Sequence, residues 1–444
     1  MINPIIFKSY DIRGIYPEEI NEEAIYDIGR RFIEHTGAKR VAVGMDARIS
    51  APTLIDSLIK GLNHQGADVF DIGQVPTECL YFSVGFYDFD AGIMLTASHN
   101  PKEYNGLKMI QKNQEGINII RGKDLLLDID LDGFEINNKS KVEKQDIWED
   151  YLNHIFSFVD INKIKPFKIA IDASNGVAGT AILKMKEKLP VEIVDLNFKP
   201  NGNFPNHSPN PLMDGSVNQI VSAIKKENAG LGFIFDGDAD RVFLIDENGQ
   251  MVSADIALLL LAKYFLQKNP GMAVAYNAIC SKSVPEFVKK WGGNPIRTQV
   301  GFVNVREGLL KNNGIMGGEL SGHYCFKDNF YLDSGMISFL TLLQIISQEN
   351  KKISELVKEL SPYAKSSEMN FKVEDKDAII NKIKEKYADG KQDFLDGITV
   401  EYDNWWFNTR ASNTEPLLRL TIEADTKDLL EQKKRELSDF ISNN

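Results

Sequence analysis

The stretch KRVAVGMDARISAPTLIDSLIKGLNHQGADVFDIG, from Lys39 to Gly73, decides the fold. A short, mainly apolar run opens it, and a loop of small residues follows. Leu54, Leu58 and Leu62 then recur at helical spacing before a second apolar run closes the stretch. This change from a short apolar run to a 3.6-residue period predicts strand, helix and strand. Such a unit is typical of α/β domains whose strands are largely parallel.

The same unit recurs twice further along the chain. The second copy is FKIAIDASNGVAGTAILKMKEKLPVEIVDLN, Phe167 to Asn197, and the third is MAVAYNAICSKSVPEFVKKWGGNPIRTQ, Met272 to Gln299. Three related α/β domains are therefore expected. The stretch PNGNFPNHSPNP, Pro200 to Pro211, is too rich in Pro and Asn for regular structure and predicts a loop inside the second domain.

The last segment has a different pattern. MNFKV precedes a helical pattern, and ITVEY and WWFNT flank Asp403-Asn404, a two-residue hairpin signal. LLRLTIEA and a charged amphipathic helix follow, which indicates a small α+β domain. Ser361-Pro362 ends the helix before it. The predicted fold class is α/β with three similar mixed α/β domains, 1–149, 150–250 and 251–364, plus a smaller C-terminal α+β domain, 365–444.

The composition argues against several classes of function. The formal net charge is −12, which argues against broad nucleic-acid binding because that needs clusters of Lys and Arg. Three widely spaced cysteines, Cys79, Cys280 and Cys325, fit a reducing cytosol better than a disulfide framework or a thiolate zinc site. The longest apolar run, Ile256 to Ala262, falls far below the ~20 residues of a membrane span. A cytoplasmic protein without nucleic-acid or membrane partners is expected.

The first candidate site is LTASHNP, Leu95 to Pro101, which follows the apolar strand AGIML. A serine at a strand end, Ser98, is a candidate nucleophile or phosphate acceptor. Taken alone, the string favours a turn or a helix cap, since Ser and Asn are common in both. A Ser-His-Asp triad is poorly supported, because the adjacent side chains of Ser98 and His99 are expected to be badly placed to pair.

The second candidate site is GFIFDGDADRVFLID, in which Asp236, Asp238 and Asp240 alternate. Three clustered carboxylates repel one another unless a cation neutralises them, and hard oxygen ligands suit Mg²⁺. A calcium EF-hand is disfavoured because Arg241 stands where that loop needs Gly and both flanks are strand-like. A phosphatase of the haloacid dehalogenase type is disfavoured because Asp240 stands where D-x-D-x-[TV] needs Thr or Val.

Two further segments carry candidate binding groups. In GGELSGHY, Gly317 to Tyr324, alternate residues would face one way in a strand or extended loop, although the string is equally typical of a β-turn. In NTRASNTEP, Asn408 to Pro416, a guanidinium, two hydroxyls and an amide can bind an anion, although a hairpin turn with a surface Arg is the alternative. The candidate residues are Glu319, Ser321, His323, Arg410, Ser412, Asn413 and Thr414.

Taken together and in this order, TASHNP, DGDADR, GELSGHY and RASNTEP resemble the motifs of the α-D-phosphohexomutase superfamily, as does the opening FKSYDIRGIYPEEI. The resemblance covers essentially the whole chain. It implies four domains around a central cleft and an enzyme that interconverts hexose 1-phosphate and hexose 6-phosphate. The reaction would pass through a phosphoserine and a hexose 1,6-bisphosphate, which would also act as activator.

The resemblance implies a role for each motif residue. Ser98 would carry the phosphoryl group, and Asp236, Asp238 and Asp240 would hold one Mg²⁺ per chain together with a phosphate oxygen on Ser98. Arg13 and Arg241 would neutralise the phosphoryl group in transfer. Lys108, and less so His99, would act as general acid or base. The sugar hydroxyls would contact Glu319, Ser321 and His323, and the non-reacting phosphate would contact Arg410, Ser412, Asn413 and Thr414.

Two positions favour one branch of this superfamily. Leu320 and Asn413 look like the phosphomannomutase/phosphoglucomutase branch, whereas a phosphoglucosamine mutase would more typically show Gln and Gly. Ile279 and Phe302 depart from the basic residue and the His often found at those places, which affects some phosphate and sugar contacts.

The alternatives are a phosphoglucosamine mutase and a Mg²⁺-dependent sugar-phosphate phosphatase. The expected partners are small sugar phosphates, and the chain is expected to act as a monomer or dimer.

Overall fold

A computed structural model describes residues 2–114, 116–126, 140–411 and 417–443. The elements up to the second sheet are, in chain order, β1 (Ile12–Ile15), α1 (Glu22–Thr36), β2 (Arg40–Met45), α2 (Ala51–His64), β3 (Asp68–Gln74), α3 (Thr77–Phe86), β4 (Ala91–Leu95), β5 (Tyr104–Asn113), β6 (Gly116–Ile120) and β7 (Val142–Lys144). The next are α4 (Trp148–Phe156), β8 (Lys168–Asp172), α5 (Ala178–Met185), β9 (Glu192–Leu196), α6 (Asn218–Glu227), β10 (Gly232–Phe235) and β11 (Val242–Ile245).

The second half of the chain continues the alternation and then changes character. Its first elements are α7 (Ala254–Lys268), β12 (Ala273–Asn277), α8 (Ser283–Lys290), β13 (Asn294–Thr298), α9 (Phe302–Lys311), β14 (Met316–Gly318), β15 (Tyr324–Phe326), β16 (Leu332–Asp333), α10 (Gly335–Gln348) and α11 (Ile353–Leu360). The last are β17 (Ala364–Lys365), β18 (Met369–Lys372), α12 (Lys376–Lys386), β19 (Lys391–Asp393), β20 (Ile398–Glu401), β21 (Trp405–Ala411), β22 (Leu417–Ala424) and α13 (Lys427–Ser442).

The described residues form two compact units. The first comprises Met1–Val252 and Gly322–Ser354, and the second comprises Ser253–Ser321 and Glu355–Asn444. No helix in the described part of the chain has the length and apolar character that crossing a membrane requires.

The first unit contains two sheets. The larger has the order β1-β5-β4-β2-β3-β7, with β6 paired to β5, and the smaller has the order β11-β10-β8-β9. β2 pairs in parallel with β3, and β8 pairs in parallel with β9, as the repeated strand–helix–strand pattern predicts. Both sheets also contain antiparallel pairs, β4 with β5 and β10 with β11. The prediction of mixed α/β domains is therefore confirmed for these two sheets.

The core of the larger sheet lies under α1 and α2. The predicted helix face is fully buried, since Leu54, Leu58 and Leu62 have no exposed surface. The two helices approach closely at Gly61, where a Cβ would come within 2.2 Å of the Tyr26 carbonyl oxygen. Any larger residue there would push the helices apart.

Helix α10 completes the smaller sheet's core. Its residues from Gly335 to Ser347 are all buried, and the Phe339 ring meets the Phe233 ring of β10 edge to face at 4.9 Å. A helix that is apolar all round is stable only when it is covered on every side. It begins beside the loop between β10 and β11, because a Cβ on Gly335 would lie 2.3 Å from the Ala239 carbonyl oxygen.

In the second unit, β12 pairs in parallel with β13, which confirms the third strand–helix–strand copy. The C-terminal sheet is antiparallel, with the order β17-β22-β21-β20-β19 and with β18 paired to β22. The predicted hairpin at Asp403-Asn404 is present, since the Tyr402 amide donates to the Trp405 carbonyl at 2.9 Å. Helix α11 ends at Leu360, before Pro362, as expected.

Candidate active site

Ser98 lies in the loop after β4 and is fully buried. Its hydroxyl donates to Asp236 Oδ2 at 2.8 Å, although the two residues are 138 positions apart in the chain. Its amide donates to Thr96 Oγ1 at 2.8 Å. The loop of the proposed nucleophile and the loop of the clustered carboxylates therefore meet directly.

The expectation that Ser98 and His99 are badly placed to pair is wrong. Ser98 Oγ lies 3.2 Å from His99 Nδ1. The reason is the backbone: Ser98 has a φ of 49°, in the left-handed region that non-glycine residues rarely adopt. Burial, followed by the charges of Arg241 and Arg13, holds the pKa of His99 well below its usual range, which favours the neutral ring.

The loop between β10 and β11 gathers the three carboxylates. Asp236, Asp238 and Asp240 are all buried, and one ligand atom from each lies within 4.8 Å of the others. Ala239 has a φ of 64°, a tight conformation that folds the loop back on itself. Burial, and then the charges of Asp240 and Asp238, raises the pKa of Asp236 well above its usual value. Burial would also raise the pKa of Asp240, but Lys108 and His323 outweigh it and hold that pKa low.

Three cationic side chains surround these carboxylates. Lys108 Nζ on β5 donates to Asp238 Oδ2 at 2.7 Å and to Asp240 Oδ2. Arg241 Nε lies 3.6 Å from Asp236 Oδ2. Arg13 on β1 donates to Asn100 Oδ1 and, at 3.3 Å, to the Ala97 carbonyl, so it lies against the Ser98 loop. Arg13 therefore places positive charge against the Ser98 loop, and Arg241 places it beside Asp236, the hydrogen-bond partner of the hydroxyl, which suits an anionic group that is exchanged at Ser98.

The three carboxylates also fit a divalent cation. Asp238 Oδ1 and Asp240 Oδ1 are buried and accept no hydrogen bond from the described part of the chain. A buried acceptor without a partner costs about 1–3 kcal/mol, more when it is charged. A cation among the three side chains would satisfy these oxygens, and an all-oxygen donor set is what Mg²⁺ prefers.

His323 reaches the same cluster within the first unit. Arg241 Nε donates to His323 Nε2 at 3.2 Å, and the same nitrogen lies 3.5 Å from Asp240 Oδ1 and 3.6 Å from Asp333 Oδ2. Asp333 is fully buried, and burial together with the charge of Asp240 raises its pKa to about 7. Sequence reasoning missed Asp333 because it lies outside the recognisable motifs.

Glu319 and Ser321 lie in the second unit. Ser321 Oγ donates to Glu319 Oε1, and Glu319 Oε2 accepts from the Gly301 amide at 3.0 Å. The stretch from Glu319 to His323 is a turn rather than a strand, and Gly322 has a φ of 85°. The alternation of a strand therefore does not govern where these side chains point.

Arg410 also lies in the second unit, on β21, and is buried. Its Nη2 donates to Glu368 Oε1 at 2.7 Å. Ser412, Asn413 and Thr414, the other candidates for binding the second phosphate, lie outside the described residues. Their predicted role stays a prediction.

Sequence reasoning missed a set of polar residues behind the Ser98 loop. Asp46, Arg48, Thr77 and Thr96 are buried and bond to the loop, to Asp238 or to one another. Asn100, in the loop itself, is half-buried and accepts from Arg13. The available signal was position: Asp46-Ala47-Arg48 directly follows β2, and β2 is parallel to β4, which delivers Ser98. The carboxyl ends of parallel strands meet at one edge of a sheet.

Comparison with known proteins adds independent findings. The family model described as phosphoglucomutase/phosphomannomutase, alpha/beta/alpha domain I, matches residues 4–122. The models of its alpha/beta/alpha domains II and III match residues 149–249 and 253–363, and the model of its C-terminal domain matches residues 368–439.

Relatives match over nearly the full length. A phosphomannomutase of Methanocaldococcus jannaschii is 38% identical over 453 aligned positions, which cover 99% of this chain and 98% of the relative. A phosphomannomutase of Escherichia coli K12 is 35% identical over 452 positions, covering 98% of each. The crystal structure of a phosphoglucomutase/phosphomannomutase family protein from Burkholderia thailandensis superposes with a TM-score of 0.89 at 31% identity, covering 100% of this chain and 98% of that one.

Proposed function

The chain belongs to the phosphoglucomutase/phosphomannomutase family and is a hexose phosphate mutase, and we propose that it interconverts the 1-phosphate and 6-phosphate of mannose, glucose or both. The reaction would pass through phosphorylated Ser98 and a hexose 1,6-bisphosphate. The choice of sugar is supported by relatives that are named phosphomannomutases.

One observation carries the proposal: Ser98 Oγ lies 2.8 Å from Asp236 Oδ2. A hydroxyl held against a carboxylate of a three-Asp cluster is well placed to exchange a phosphoryl group beside a metal. A phosphoryl group in transfer carries spread negative charge, so catalysis depends mainly on positioning and electrostatic stabilisation.

Asp236, Asp238 and Asp240 would hold one Mg²⁺, with a phosphate oxygen of phosphorylated Ser98 as a further ligand. When bound, this ion would supply positive charge that offsets the charge on the phosphoryl oxygens. Support comes from the two buried carboxylate oxygens that accept no hydrogen bond from the described residues.

The remaining roles follow from where each side chain lies. Arg13 contacts the Ser98 loop and Arg241 lies beside Asp236, so both would neutralise the phosphoryl group. Lys108, held by Asp238 and Asp240, would donate a proton to the Ser98 oxygen as the phosphoryl group leaves and take one back when the serine attacks again. His99, whose ring is 3.2 Å from Ser98 Oγ, would assist.

Sugar and phosphate recognition is proposed for the other motif residues. Glu319, Ser321 and His323 would bind sugar hydroxyls, and Arg410 with Ser412, Asn413 and Thr414 would bind the non-reacting phosphate. The Glu319 carboxylate supports this role, because its hydrogen bonds to Ser321 and to the Gly301 amide fix its orientation.

We further propose four domains with boundaries near residues 149, 250 and 364, and a cytoplasmic enzyme that works on small sugar phosphates as a monomer or dimer. The partner chemistry is supported by the net charge of −12, which disfavours nucleic acid as a ligand.

The test compares Ser98→Ala with the wild type. The variant should still bind sugar phosphate but lose at least about 1,000-fold in kcat, because the covalent carrier is gone. Mass spectrometry after incubation with glucose 1,6-bisphosphate should find phosphate on Ser98 of the wild type only. Ser222→Ala, which removes a hydroxyl that donates only to its own helix, should behave like the wild type.

A coupled assay would run glucose 1-phosphate, mannose 1-phosphate and glucosamine 1-phosphate side by side, with a trace of bisphosphate. Comparable rates on the first two would support dual specificity, and activity on the amino sugar alone would overturn the branch assignment. Free phosphate as the main product, with a wild-type rate in Ser98→Ala, would overturn the mutase mechanism.

A further inference from the structure

We propose that Arg48 is a positioning residue for the loop from Ala97 to Tyr104, here called the serine loop, and that it holds Ser98 Oγ against Asp236. The inference rests on the proposed role of Ser98 and deepens it. Among the described residues, Arg48 bonds to none of the proposed metal-binding carboxylates. It would act on Ser98 through the backbone of the serine loop and through Asp46 and Thr96.

The Arg48 guanidinium binds four carbonyl oxygens of that loop. Nη1 donates to Pro101 O and Tyr104 O, each at 2.7 Å. Nη2 donates to Ser98 O at 2.9 Å and to Asn100 O at 2.7 Å. Nε donates to Asp46 Oδ2 at 3.2 Å. A guanidinium has five N–H groups in a fixed fork, so this site uses its whole donor set.

These hydrogen bonds stabilise an unusual backbone conformation in the serine loop. Ser98 has a φ of 49°, and such a conformation persists only when the surroundings over-determine it. The loop turns carbonyl oxygens inward, and buried carbonyls need partners. Arg48 supplies them together with a positive charge. The carbonyl oxygens, which are the negative ends of the peptide dipoles, therefore face the Arg48 guanidinium and not the phosphate that Ser98 would carry.

Arg48 is itself fixed in place. Its backbone amide donates to Asp46 Oδ1 at 2.9 Å, and Asp46 Oδ2 also accepts from Thr96 Oγ1 at 2.7 Å. Thr96 Oγ1 in turn accepts from the Ser98 amide at 2.8 Å. A closed chain of hydrogen bonds thus runs from Arg48 through Asp46 and Thr96 to Ser98 and back. The amide and the carbonyl of Ser98 are therefore both held by hydrogen bonds that lead to Arg48 and Asp46.

The Pro- and Asn-rich loop of Pro200–Pro211 covers this arrangement. The Arg48 guanidinium lies over the Phe204 ring at 5.5 Å, and its side chain has no exposed surface. A Cβ on Gly202 would come within 2.5 Å of the Ala47 carbonyl and the Ile49 amide. The loop therefore lies directly on the backbone around Arg48 and keeps water from competing for the four carbonyls.

The serine loop also fits tightly against the carboxylate loop. A Cβ on Gly237 would lie 2.6 Å from Ser98 O, the carbonyl that Arg48 Nη2 binds. A shift of this carbonyl would move Ser98 against Gly237 and change the distance from Ser98 Oγ to Asp236. Misplacing a reacting group by about 1 Å can cost roughly 100-fold in rate.

The experiment uses the full chain with Arg48→Lys. A lysine keeps the charge but offers three donors from one nitrogen, too few for four carbonyls and Asp46. We expect kcat to fall roughly 100-fold with little change in KM, because only the position of the serine changes. Amide hydrogen exchange of peptides covering residues 97–104 should accelerate, and exchange in β2 and β3 should stay as in the wild type.

Arg30→Lys is the matched control. Arg30 is a buried arginine of the same domain that donates to Gln65 Oε1 at 2.8 Å, outside the serine loop. This variant should leave both kcat and exchange in residues 97–104 unchanged. If Arg48→Lys does not fold, Phe204→Leu, which removes only the covering ring, should show the same faster exchange of residues 97–104 in a folded enzyme.

Exchange of residues 97–104 at the wild-type rate in the folded variant would overturn the proposal, as would an equal loss of kcat in Arg30→Lys. The exchange measurement does not depend on catalysis. A wild type without phosphate on Ser98 would therefore refute the proposed function, while exchange would still decide the role of Arg48.

Discussion

At the scale of single residues, Lys108 and His99 are the two candidates for moving a proton at Ser98, and their surroundings differ. Lys108 donates to two of the clustered carboxylates, whereas His99 makes one 3.2 Å contact with Ser98 Oγ. Asp238 and Asp240 outweigh the effect of burial and raise the pKa of Lys108, so this side chain is held as the protonated ammonium.

We therefore expect unequal losses. Lys108→Gln should lower kcat by ~10²–10⁴-fold, the usual contribution of a general acid or base. His99→Gln should lower kcat by less than about tenfold, because it removes one neutral hydrogen-bond partner. Steady-state kinetics with glucose 1-phosphate and mannose 1-phosphate measure both. Equal losses in the two variants would contradict this assignment of roles.

Asp240 gives a prediction about the metal. Asp240→Asn removes one of three charges from the cluster and leaves Lys108 and His323 without their common carboxylate partner. The affinity for Mg²⁺ should fall by at least about tenfold, or ~1.4 kcal/mol of binding free energy. Isothermal titration of metal-free protein with Mg²⁺ measures the change. Asp160→Asn, a partly exposed carboxylate, is the control and should bind Mg²⁺ like the wild type.

At the scale of elements, Glu78 links α3 to the start of α10. Its carboxyl accepts from Ser334 Oγ and, at 3.0 Å, from the Met336 amide, and it is only 2% exposed. Burial raises the pKa of Glu78 from 4.5 to about 8, more than these two hydrogen bonds lower it. Between these pH values the folded state keeps a proton that the unfolded chain releases.

This shift predicts how stability depends on pH. The contribution of Glu78 is complete below about pH 4.5 and is lost as the pH rises through 8, by at most about 1.4 kcal/mol per pH unit. Glu78→Gln mimics the protonated form, so its melting temperature should overtake that of the wild type as the pH rises from 5 to 8.5. Glu187→Gln, an exposed control, should show no such trend. A difference between Glu78→Gln and wild type that does not vary with pH would contradict the prediction.

The elements also show what the sequence could and could not predict. The three strand–helix–strand units were predictable because their apolar periodicity is local, and the meeting of Ser98 with Asp236 followed from recognisable motifs. The left-handed backbone at Ser98 was not predictable, because a serine gives no local signal for it. The role of Arg48 was equally hidden, since an arginine after a strand resembles a solvated one until the carbonyls around it are known.

The surroundings of residues 322–354 were hidden from the sequence for a related reason. Residues 322–354 pack with the first unit although sequence places them among elements of the second. Their partners, such as Phe233 for Phe339, lie about a hundred positions away. The mainly apolar sequence of α10 predicts that the helix is buried, but it does not identify the sheet that covers it.

At the scale of the whole molecule, an ion pair helps to hold the second unit together. Lys365 Nζ, whose side chain is 15% exposed, donates to the buried Asp255 Oδ2 at 2.7 Å. Asp255 also accepts from the Ser281 amide at 2.9 Å and from Ser253 Oγ at 2.6 Å. Burial would raise the pKa of Asp255, but Lys365 outweighs it and holds that pKa below its usual value. The pair therefore ties β17 to the first turn of α7.

Breaking this pair should destabilise the second unit alone. Lys365→Met leaves Asp255 as a buried charge without its cation, which typically costs about 3–5 kcal/mol. In differential scanning calorimetry the transition of the second unit should move to lower temperature, and that of the first unit should stay in place. Asp255→Asn combined with Lys365→Met should recover much of the loss, because no buried charge remains.

Lys391→Met, which breaks the exposed pair with Glu401, should cost less than about 1 kcal/mol. An equal effect of Lys365→Met and Lys391→Met would show that burial does not set the strength of the Lys365–Asp255 pair.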